Sequence, residues 1–566
     1  MAKRIDGLFV AWSRAITAHP WMVIMVCLLG VGAVGVHARS VELDFTPESF
    51  LSPGHPERER YNEFRHQFGT DNTVVVAIRP DDPWSPEFLT WLRDLQDTIV
   101  EDVPFVDEVT SLVNARVTRG DADSLIVEDL MEEWPETPEQ FAAIKSRALE
   151  NPFYQNLLIN HEHRLVVMLI DLATFGGESA DLLEGFDDAP IASETTAPEF
   201  LKGSERDEAI KALRVVLDEL APRDLEVHVV GNPSVAQRTV GLMQVNMARF
   251  TGLSIFAIMI VLAILFRSTP GVVLPLLVAL LAIAFTFGVA GIRGTPLSVT
   301  SQMIPSLLLA VCASSSIHLL VMFYQGIDRG DSKADAIASA LVQSGTPIAL
   351  ASLTTAGGLA SFNAAELEGL RDVGILAPVG IAAGLVLCLS LVPALLTVLP
   401  ARRRAPDSDD DEPGWLERSL VRIGDFSTAR PVVVITAASI VVVAVGLGML
   451  RLYYTFDPLS FLSDEDPLRI STSIINHDLA GVSSIEMLID TGVENGLHDP
   501  TVLRNLAALQ ETAQTLRGGK DDQIAVGKVI SFIDILKEIH QALNEGRPEA
   551  RIVPDDRVLI SQELIT

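Results

Sequence analysis

The chain has 566 residues, of which 48% are hydrophobic, and it combines a formal net charge of −32 with a mean hydropathy of +0.33. A disordered polypeptide is excluded because the apolar content is too high. A nucleic-acid-binding protein is disfavoured because the negative charge would repel phosphate. A chain that is both acidic and apolar is expected to keep the two properties in different segments.

Seven apolar stretches are long enough to cross a hydrocarbon core of about 30 Å. In chain order they are 20–38, 249–266, 271–292, 297–323, 344–362, 373–399 and 431–450. Pro305, Pro378 and Pro393 fall inside these stretches and predict kinked or broken helices, since packed neighbours can satisfy the carbonyls that proline frees. All three cysteines also lie in these stretches, so neither a disulfide framework nor a cysteine zinc site is predicted.

The charges of the short loops predict the orientation of these helices. With the N-terminus in the cytoplasm, twelve Lys and Arg fall in cytoplasmic segments and three in short outside loops, which fits the positive-inside rule. The long segments 39–248 and 451–566 are then extracytoplasmic. Between Val41 and Met247 there are 41 Asp and Glu against 16 Lys and Arg. We therefore predict a multi-pass protein of the cell inner or plasma membrane with acidic domains outside.

A repeated pattern predicts an internal duplication at an offset of 411 residues. Thr17-Ala18-His19-Pro20 returns as Thr428-Ala429-Arg430-Pro431, and Phe45–Pro56 returns as Phe456–Pro467 with seven of twelve positions identical. Because the second copy of the first helix is internal, we expect the first helix to be retained rather than cleaved as a signal peptide. The second copy reaches Thr566 within its outside domain, so we expect it to be truncated.

The helices and the repeat together predict the domain boundaries. We predict a cytoplasmic N-terminus with the first helix at 1–38, a first extracytoplasmic α/β domain at 39–248, a five-helix membrane core at 249–400, a cytoplasmic linker at 401–430, a seventh helix at 431–450 and a partial second extracytoplasmic domain at 451–566. The fold class is thus a polytopic α-helical membrane protein with seven transmembrane helices and two α/β domains.

Apolar runs predict the elements of the two outside segments. In the first segment, strands are expected at Thr73–Ile78, Leu165–Leu172 and Leu225–Val230, helices at Ser85–Val100 and Ser204–Leu220, and a mobile loop at 174–203. In the second segment, a strand is expected at Ile485–Asp490, a helix at Pro500–Leu516 and a strand at Ile524–Ile530. The shared strand–helix–strand order favours small split βαβ units.

Several motifs resemble the RND superfamily, in its MmpL/Patched-like branch of lipid and hydrophobe exporters. They are Phe45–Pro56, Phe68–Ile78, Ser314–Leu320, Ser344–Phe362 and Val526–Gly546. The resemblance covers essentially the whole chain. It implies porter-like outside domains, a sterol-sensing-type core in helices two to six, and proton-driven movement of two pseudo-symmetric halves.

The candidate proton-coupling and intramembrane polar residues are Ser314, Ser315, His318, Thr354 and Thr355. His318 is the only ionisable residue expected at hydrocarbon depth, where burying a charge is costly, and an imidazole exchanges protons near neutral pH. The alternative is a neutral imidazole that hydrogen-bonds a neighbouring serine or a facing helix. Ser315 stands where the family usually has an acidic residue. Thr354 and Thr355 would either line a polar path or assist helix packing.

No catalytic, cofactor or metal site is predicted. The chain contains no G-x-x-x-x-G-K-[ST], G-x-S-x-G or H-E-x-x-H motif, so neither ATP-driven transport nor hydrolase chemistry is expected. His161-Glu162-His163 is interpreted as a surface turn, because no third metal ligand accompanies it.

The leading functional prediction is an RND-type exporter of a lipid-like or hydrophobic molecule, proton-coupled in its complete form. The alternatives are a non-pumping lipid- or sterol-sensing or accessory membrane protein, and an inactive truncated fragment. The expected partners are bilayer lipid and the hydrophobic substrate, together with either further copies in a homo-oligomer or a missing second-half polypeptide. No nucleic-acid partner is expected.

Overall fold

The computed structural model describes residues 2–44, 50–52, 54–121, 124–176, 200–223, 225–400, 415–452, 458–479, 481, 484–518, 523–524 and 526–564. The chain divides into two compact units. The first, here termed the membrane body, comprises Met1–Ser52 and Met243–Pro458. The second, here termed the α/β body, comprises Pro53–Leu242 and Leu459–Thr566. The predicted linker residues 401–414 and most of the predicted loop at 174–203 lie outside the described residues.

The α-helices of the described chain carry clear start signals. In order they are α1 (Ala2–Ala18), α2 (Pro20–Gly35), α3 (Pro56–Phe68), α4 (Pro86–Asp102), α5 (Pro138–Glu150), α6 (Gly203–Leu220), α7 (Asn232–Phe266), α8 (Thr269–Arg293), α9 (Ile304–Arg329), α10 (Lys333–Ala360), α11 (Glu368–Val398), α12 (Trp415–Ala429), α13 (Pro431–Met449), α14 (Pro467–Asp478), α15 (Pro500–Gln514), α16 (Phe532–Leu543) and α17 (Arg557–Glu563). Ser85, Thr137 and Asp499 each accept a backbone N–H bond just before a proline-led first turn. These side chains satisfy amides that the helix leaves unpaired.

Seven helices of the described chain are long and apolar enough to cross a membrane, which confirms the predicted number. They are α2, α7, α8, α9, α10, α11 and α13. Helices α7 and α10 begin at Asn232 and Lys333, well before the apolar stretches at 249 and 344. The fourth stretch is broken, since a 3₁₀ turn at Val299–Met303 precedes α9 and Pro305 lies in its first turn.

Helices α8 to α11 form the centre of the membrane body and pack against one another. Their buried faces share Leu309, Phe323 and Leu391, among other apolar side chains. Helix α2 approaches α8 closely, because a Cβ at Gly288 would come within 2.2 Å of the Val34 carbonyl oxygen. Only glycine permits that approach. Helix α13 buries none of its residues against the described chain.

The α/β body is built on a four-stranded antiparallel sheet of order β2-β5-β1-β6. The strands of the described chain are β1 (Thr73–Arg79), β2 (Val106–Thr110), β3 (Arg116–Asp121), β4 (Ser124–Asp129), β5 (Val166–Leu172), β6 (Glu226–Val230), β7 (Arg517–Gly518) and β8 (Gln523–Ile524). Strands β1, β5 and β6 confirm the three runs predicted in the first long segment, and α4 and α6 confirm its two helices. Strands β3 and β4 form a separate hairpin.

Helices cover both faces of this sheet. Helices α4 and α6 pack on the face that carries Val74, Val76 and Ile78. Helix α14 packs on the opposite face, where Ala77 and Val230 are fully buried. Because α14 comes from the second long segment, both long segments contribute to one core.

Two predicted strands of the second long segment differ from the structure. Ile485–Asp490 is exposed and belongs to no helix or strand, so that prediction is wrong. Of the described residues in Ile524–Ile530, only Ile524 is in a strand, paired in the short β7–β8 hairpin. A strand needs hydrogen-bonded neighbours as well as an apolar pattern, and the described residues provide none for Ile485–Asp490. Helix α15 confirms the helix predicted between these runs.

Candidate functional site in the membrane helices

Helix α9 carries three of the five candidate polar residues. Ser314 and His318 lie four residues apart and are both exposed, as expected for neighbours on one helix face. Ser315 is half-buried, and its hydroxyl donates to the Val311 carbonyl oxygen at 3.0 Å. The other side of the helix, which includes Ser316, is buried in the bundle. The exposed side of α9 therefore presents an imidazole and a hydroxyl.

The other two candidates, Thr354 and Thr355, lie near the end of α10 and are exposed. Both hydroxyls donate to carbonyl oxygens of their own helix, with the Thr355 bond to Ala351 at 2.8 Å. No atom lies within 4 Å of the position that a Cβ would take at Gly357 or Gly358. The described chain thus leaves this small-residue surface without a packed neighbour.

The structure places the candidates in two patches at different depths. Helices α9 and α10 pack against each other and are joined by a short turn. His318 lies eleven residues before Arg329, the end of α9, while Thr354 lies twenty-one residues after Lys333, the start of α10. At a rise of 1.5 Å per residue, these positions are about 16 Å and about 32 Å from the turn. The two patches are therefore separated by about three helical turns.

Gln343 and Asp372 are polar residues of the membrane helices that the sequence did not single out. Gln343 is exposed, lies ten residues into α10 and so shares the depth of His318, about 15 Å from the turn. Asp372 lies in the first turns of α11 and is 6% exposed. Both fall just outside the apolar stretches, which began at 344 and 373. The signal that would have found them is the helical periodicity that continues beyond each stretch.

Exposed polar groups on a membrane-spanning helix need a partner other than lipid. Hydrocarbon offers no hydrogen bonds, so such groups normally face another helix or a water-filled path. The imidazole of His318 can take up and release a proton, and the neighbouring hydroxyl of Ser314 can donate or accept a hydrogen bond. No group of three His, Cys, Asp or Glu in the described residues could hold a metal ion.

An apolar groove of about 460 Å³ lies between α2, α8 and α11. Gly30 on α2 and the pair Ala382 and Ala383 on α11 leave this space because their side chains are small, while Phe285 of α8 lines it from the third side. Its volume falls in the range of small-molecule sites. Its lining is suited to a hydrocarbon chain.

In the α/β body, Lys528 ties the second long segment to the first. Its Nζ donates to the carbonyl oxygens of Pro152, Phe153 and Gln155 at 3.1, 2.5 and 2.7 Å. Burial lowers the pKa of Lys528 to about 8, and the nearby Asp534 opposes that shift. On α16, burial raises the pKa of Glu538, which also hydrogen-bonds Thr118 of β3. The two long segments therefore meet through partly buried polar groups as well as through the apolar core.

The helices and the polar faces that they carry define a polytopic helical membrane protein. Residues 200–434 match the family model described as the MMPL family. This match confirms, over those residues, the resemblance to the family that the motifs indicated.

Three similar proteins have names that describe them, provisionally, only as membrane proteins. MJ1562 of Methanocaldococcus jannaschii is 23% identical over 393 residues, which cover 67% of this chain and 90% of that protein. ActII-3 of Streptomyces coelicolor is 25% identical over 248 residues, 42% of this chain and 34% of that protein. SCO6666 of the same organism is 22% identical over 326 residues, 55% of this chain and 46% of that protein. The chain thus spans less than half the length of the two Streptomyces relatives.

Proposed function

We propose that the protein is an RND-type transporter that exports a lipid-like or hydrophobic molecule from the bilayer. The observation that carries the proposal is the exposed polar face of α9, where Ser314 and His318 lie on a mostly apolar transmembrane helix. Such a face is costly against lipid, so it is expected to meet a second helix bundle or a water-filled path. The match of residues 200–434 to the MMPL family model supports the same function.

His318 would supply the proton coupling. An imidazole changes its charge between about pH 5 and pH 8. That change would alter the free energy of contact between α9 and a second bundle, and so would bias the bundles between two arrangements. The second bundle would come from further copies of the chain or from a second-half polypeptide. Ser315 provides no carboxylate three residues before His318, so the coupling would rest on the imidazole.

The proposed path leads from the bilayer to the α/β body on the extracytoplasmic side, with the N-terminus in the cytoplasm. The groove lined by Gly30, Phe285 and Ala383 supports a hydrocarbon-bearing cargo, because its lining is almost entirely apolar. The acidity of both long segments supports a water-exposed position for the α/β body.

Transport by the purified full chain in liposomes tests the proposal. The vesicles would contain a fluorescent phospholipid analogue in one leaflet, and its arrival in the other leaflet would be followed by chemical quenching. We expect movement that requires a pH gradient and stops when an ionophore collapses it. Protein-free vesicles control for spontaneous movement. The proposal fails if folded protein gives no gradient-dependent movement above that control.

A non-pumping lipid-binding or lipid-sensing protein is the second candidate. The apolar groove favours it, together with Ser315 at the position that is acidic in the family. This candidate predicts saturable binding of the lipid analogue without gradient-dependent movement. Gly30→Trp would fill the groove and abolish the binding, whereas His318→Gln would leave the binding unchanged.

A further inference from the structure

A buried carboxylate lies on the face of α11 that lines the apolar groove. The residues by which α11 lines the groove include Val379, Ala383 and Val386. Asp372 precedes them by seven, eleven and fourteen residues. At 3.6 residues per turn, these four positions fall within about 40° of one line along the helix. Asp372 therefore belongs to the groove face of α11, about 10 Å along the axis from Val379.

The side chain of Asp372 is buried without a donor. It is 6% exposed, and within the described part of the chain its carboxylate makes no hydrogen bond and no ion pair. The backbone beside it is tightly packed, because a Cβ at Gly369 would come within 2.6 Å of the Ser298 hydroxyl oxygen. Leaving a buried carboxylate without a donor or a cation is costly. A donor from outside the described chain is therefore expected.

A cation lies near Asp372 at the end of α8. Arg293 is the last residue of α8, is exposed, and makes no ion pair with a described residue. The other charged groups that act on Asp372 are Glu368 and Arg371, which pair with each other at 3.8 Å. Among these groups, Arg293 is the guanidinium that is available to an anion, and it lies beside a carboxylate that lacks a donor.

The helices that line the groove end at one level. Gly291 of α8 lies against the carbonyl oxygen of His37, just beyond α2, and Arg293 acts on Asp372 near the start of α11. Ala383, at the midpoint of the 31-residue α11, is about 16 Å along the axis from Asp372. That distance is about half of a hydrocarbon core of about 30 Å. Asp372 and Arg293 therefore lie at the level where lipid headgroups begin, and the groove lies toward the centre of the bilayer.

We propose that the groove and the polar groups beyond it bind a phospholipid whose headgroup carries a primary amine. A fatty chain would occupy the groove, the ammonium group would donate to the Asp372 carboxylate, and the phosphate would lie against Arg293. A sterol offers a charge to neither residue, and an anionic lipid without an amine leaves Asp372 without a donor. The lipid would be the cargo of the proposed exporter, and in that respect the inference rests on the proposed function.

Binding of two fluorescent lipids to the purified full chain in detergent tests the proposal. The first is a phosphatidylethanolamine with a fluorescent group at the end of one fatty chain. The second is the same lipid with its amine acetylated, which removes the positive charge and keeps the phosphate and the chains. We expect the unsubstituted protein to bind the first lipid at least about tenfold more tightly, because the second cannot make a charge-assisted hydrogen bond to the buried carboxylate. Equal dissociation constants for the two lipids would overturn the proposal.

Substitutions assign the amine to Asp372, the phosphate to Arg293 and the chain to the groove. In Asp372→Asn, the preference for the amine lipid should fall to within about twofold, because the amide carries no charge. The matched control is Glu366→Gln, which removes an exposed carboxylate just before α11 and should keep the preference. Arg293→Gln should weaken both lipids to a similar extent, and Gly30→Trp should abolish the binding of both. A preference that persists in Asp372→Asn, or unchanged affinities in folded Arg293→Gln or Gly30→Trp, would overturn the proposal.

A photoreactive group in the fatty chain locates the lipid without any substitution. A diazirine near the end of the chain is expected to link to peptides that contain residues 26–31 of α2 or residues 379–387 of α11. Links confined to other helices would overturn the proposal.

This site and the proposed export can fail separately. Amine-selective binding in the groove without gradient-dependent lipid movement would support the site and reject export. Gradient-dependent movement together with equal binding of the two lipids would reject the site and leave export in place.

Discussion

The substitution Ile475→Ala tests whether the two long segments are stabilised by one shared hydrophobic core. Ile475 is fully buried on α14 in the cluster with Ala77, Val167 and Val230. Truncating a buried isoleucine to alanine costs about 2–5 kcal/mol. We expect about 3 kcal/mol here, because a helix on a regular sheet cannot fully collapse into the space that is left. That loss of stability increases the equilibrium constant for local opening of α14 by a factor of about 100.

Native-state amide exchange of the purified full chain measures this change without requiring reversible unfolding of a membrane protein. The α14 amides that exchange through local opening are expected to exchange about 100-fold faster in Ile475→Ala. The matched control is Ile470→Ala on the same helix, where the side chain is 47% exposed. In the control, the exchange rates of the α14 amides should stay within about threefold of those in the parent, because exposed substitutions usually change stability by less than about 0.5 kcal/mol. If the α14 amides of Ile475→Ala exchange at rates within about threefold of those in the parent, the reasoning is refuted.

Three further substitutions probe the packing and the buried charges. Gly288→Ala places a Cβ 2.2 Å from the Val34 carbonyl oxygen and is expected to lower the unfolding temperature in detergent, at a cost of about 1–3 kcal/mol. Arg238→Met removes the partner 2.8 Å from the buried carboxylate of Asp466 and is expected to cost about 2–3 kcal/mol, measured as faster amide exchange at the start of α14. For Lys528→Met, the measured quantity is the unfolding temperature of the parent minus that of the variant. This difference is expected to increase as the pH rises from about 8 toward 10.5. The folded amine has a pKa of about 8 and so holds its proton less tightly than the unfolded amine.

Matched controls separate these effects from general damage. Gly30→Ala introduces a Cβ with no neighbouring atom within 4 Å, and alanine has the higher helix propensity, so its unfolding temperature should not fall below that of the parent. Arg60→Met breaks an exposed pair with Glu57 and should leave amide exchange unchanged. Equal losses in a control and its test variant would contradict the packing argument. If the difference in unfolding temperature between the parent and Lys528→Met stays constant or decreases as the pH rises, the argument from the lowered pKa of Lys528 is contradicted.

The membrane helices were predictable because length and apolarity decide whether a helix can span a bilayer. All seven apolar stretches became helices of the described chain. Their ends were less predictable. Helices α7 and α10 continue through polar residues to Asn232 and Lys333, and a polar helix end carries no hydropathy signal. Asp372 was missed for that reason.

The first sheet was largely predictable because β1, β5 and β6 are apolar runs buried between helices. The hairpin of Arg116–Asp121 with Ser124–Asp129 was missed, since its charged residues resemble a loop. Ile485–Asp490, in contrast, was wrongly predicted to be a strand, because it has an apolar pattern but no hydrogen-bonded neighbour in the described chain. Strand formation depends on partners that are distant in the sequence, and local patterns do not report them.

The candidate site was predictable in composition but not in arrangement. His318 could be found because it is an ionisable residue within an apolar run. The depth of Thr354 could not, because it depends on where α10 begins, and that start at Lys333 lies outside the apolar stretch. Ser314 and His318 are exposed because the other face of α9 packs on its neighbours. A mostly apolar helix gives little periodic signal for which face will pack.

Parallel recording of proton flux and lipid-analogue movement in the same liposomes tests the central claim most directly. The parent, His318→Gln and Gln325→Ala would be compared, since Gln325 is an exposed polar residue on the same helix. The account predicts coupled proton and lipid movement in the parent and in Gln325→Ala, and loss of the gradient dependence in His318→Gln. Gradient-driven lipid movement that persists unchanged in His318→Gln, or its absence from the folded parent, would contradict the account.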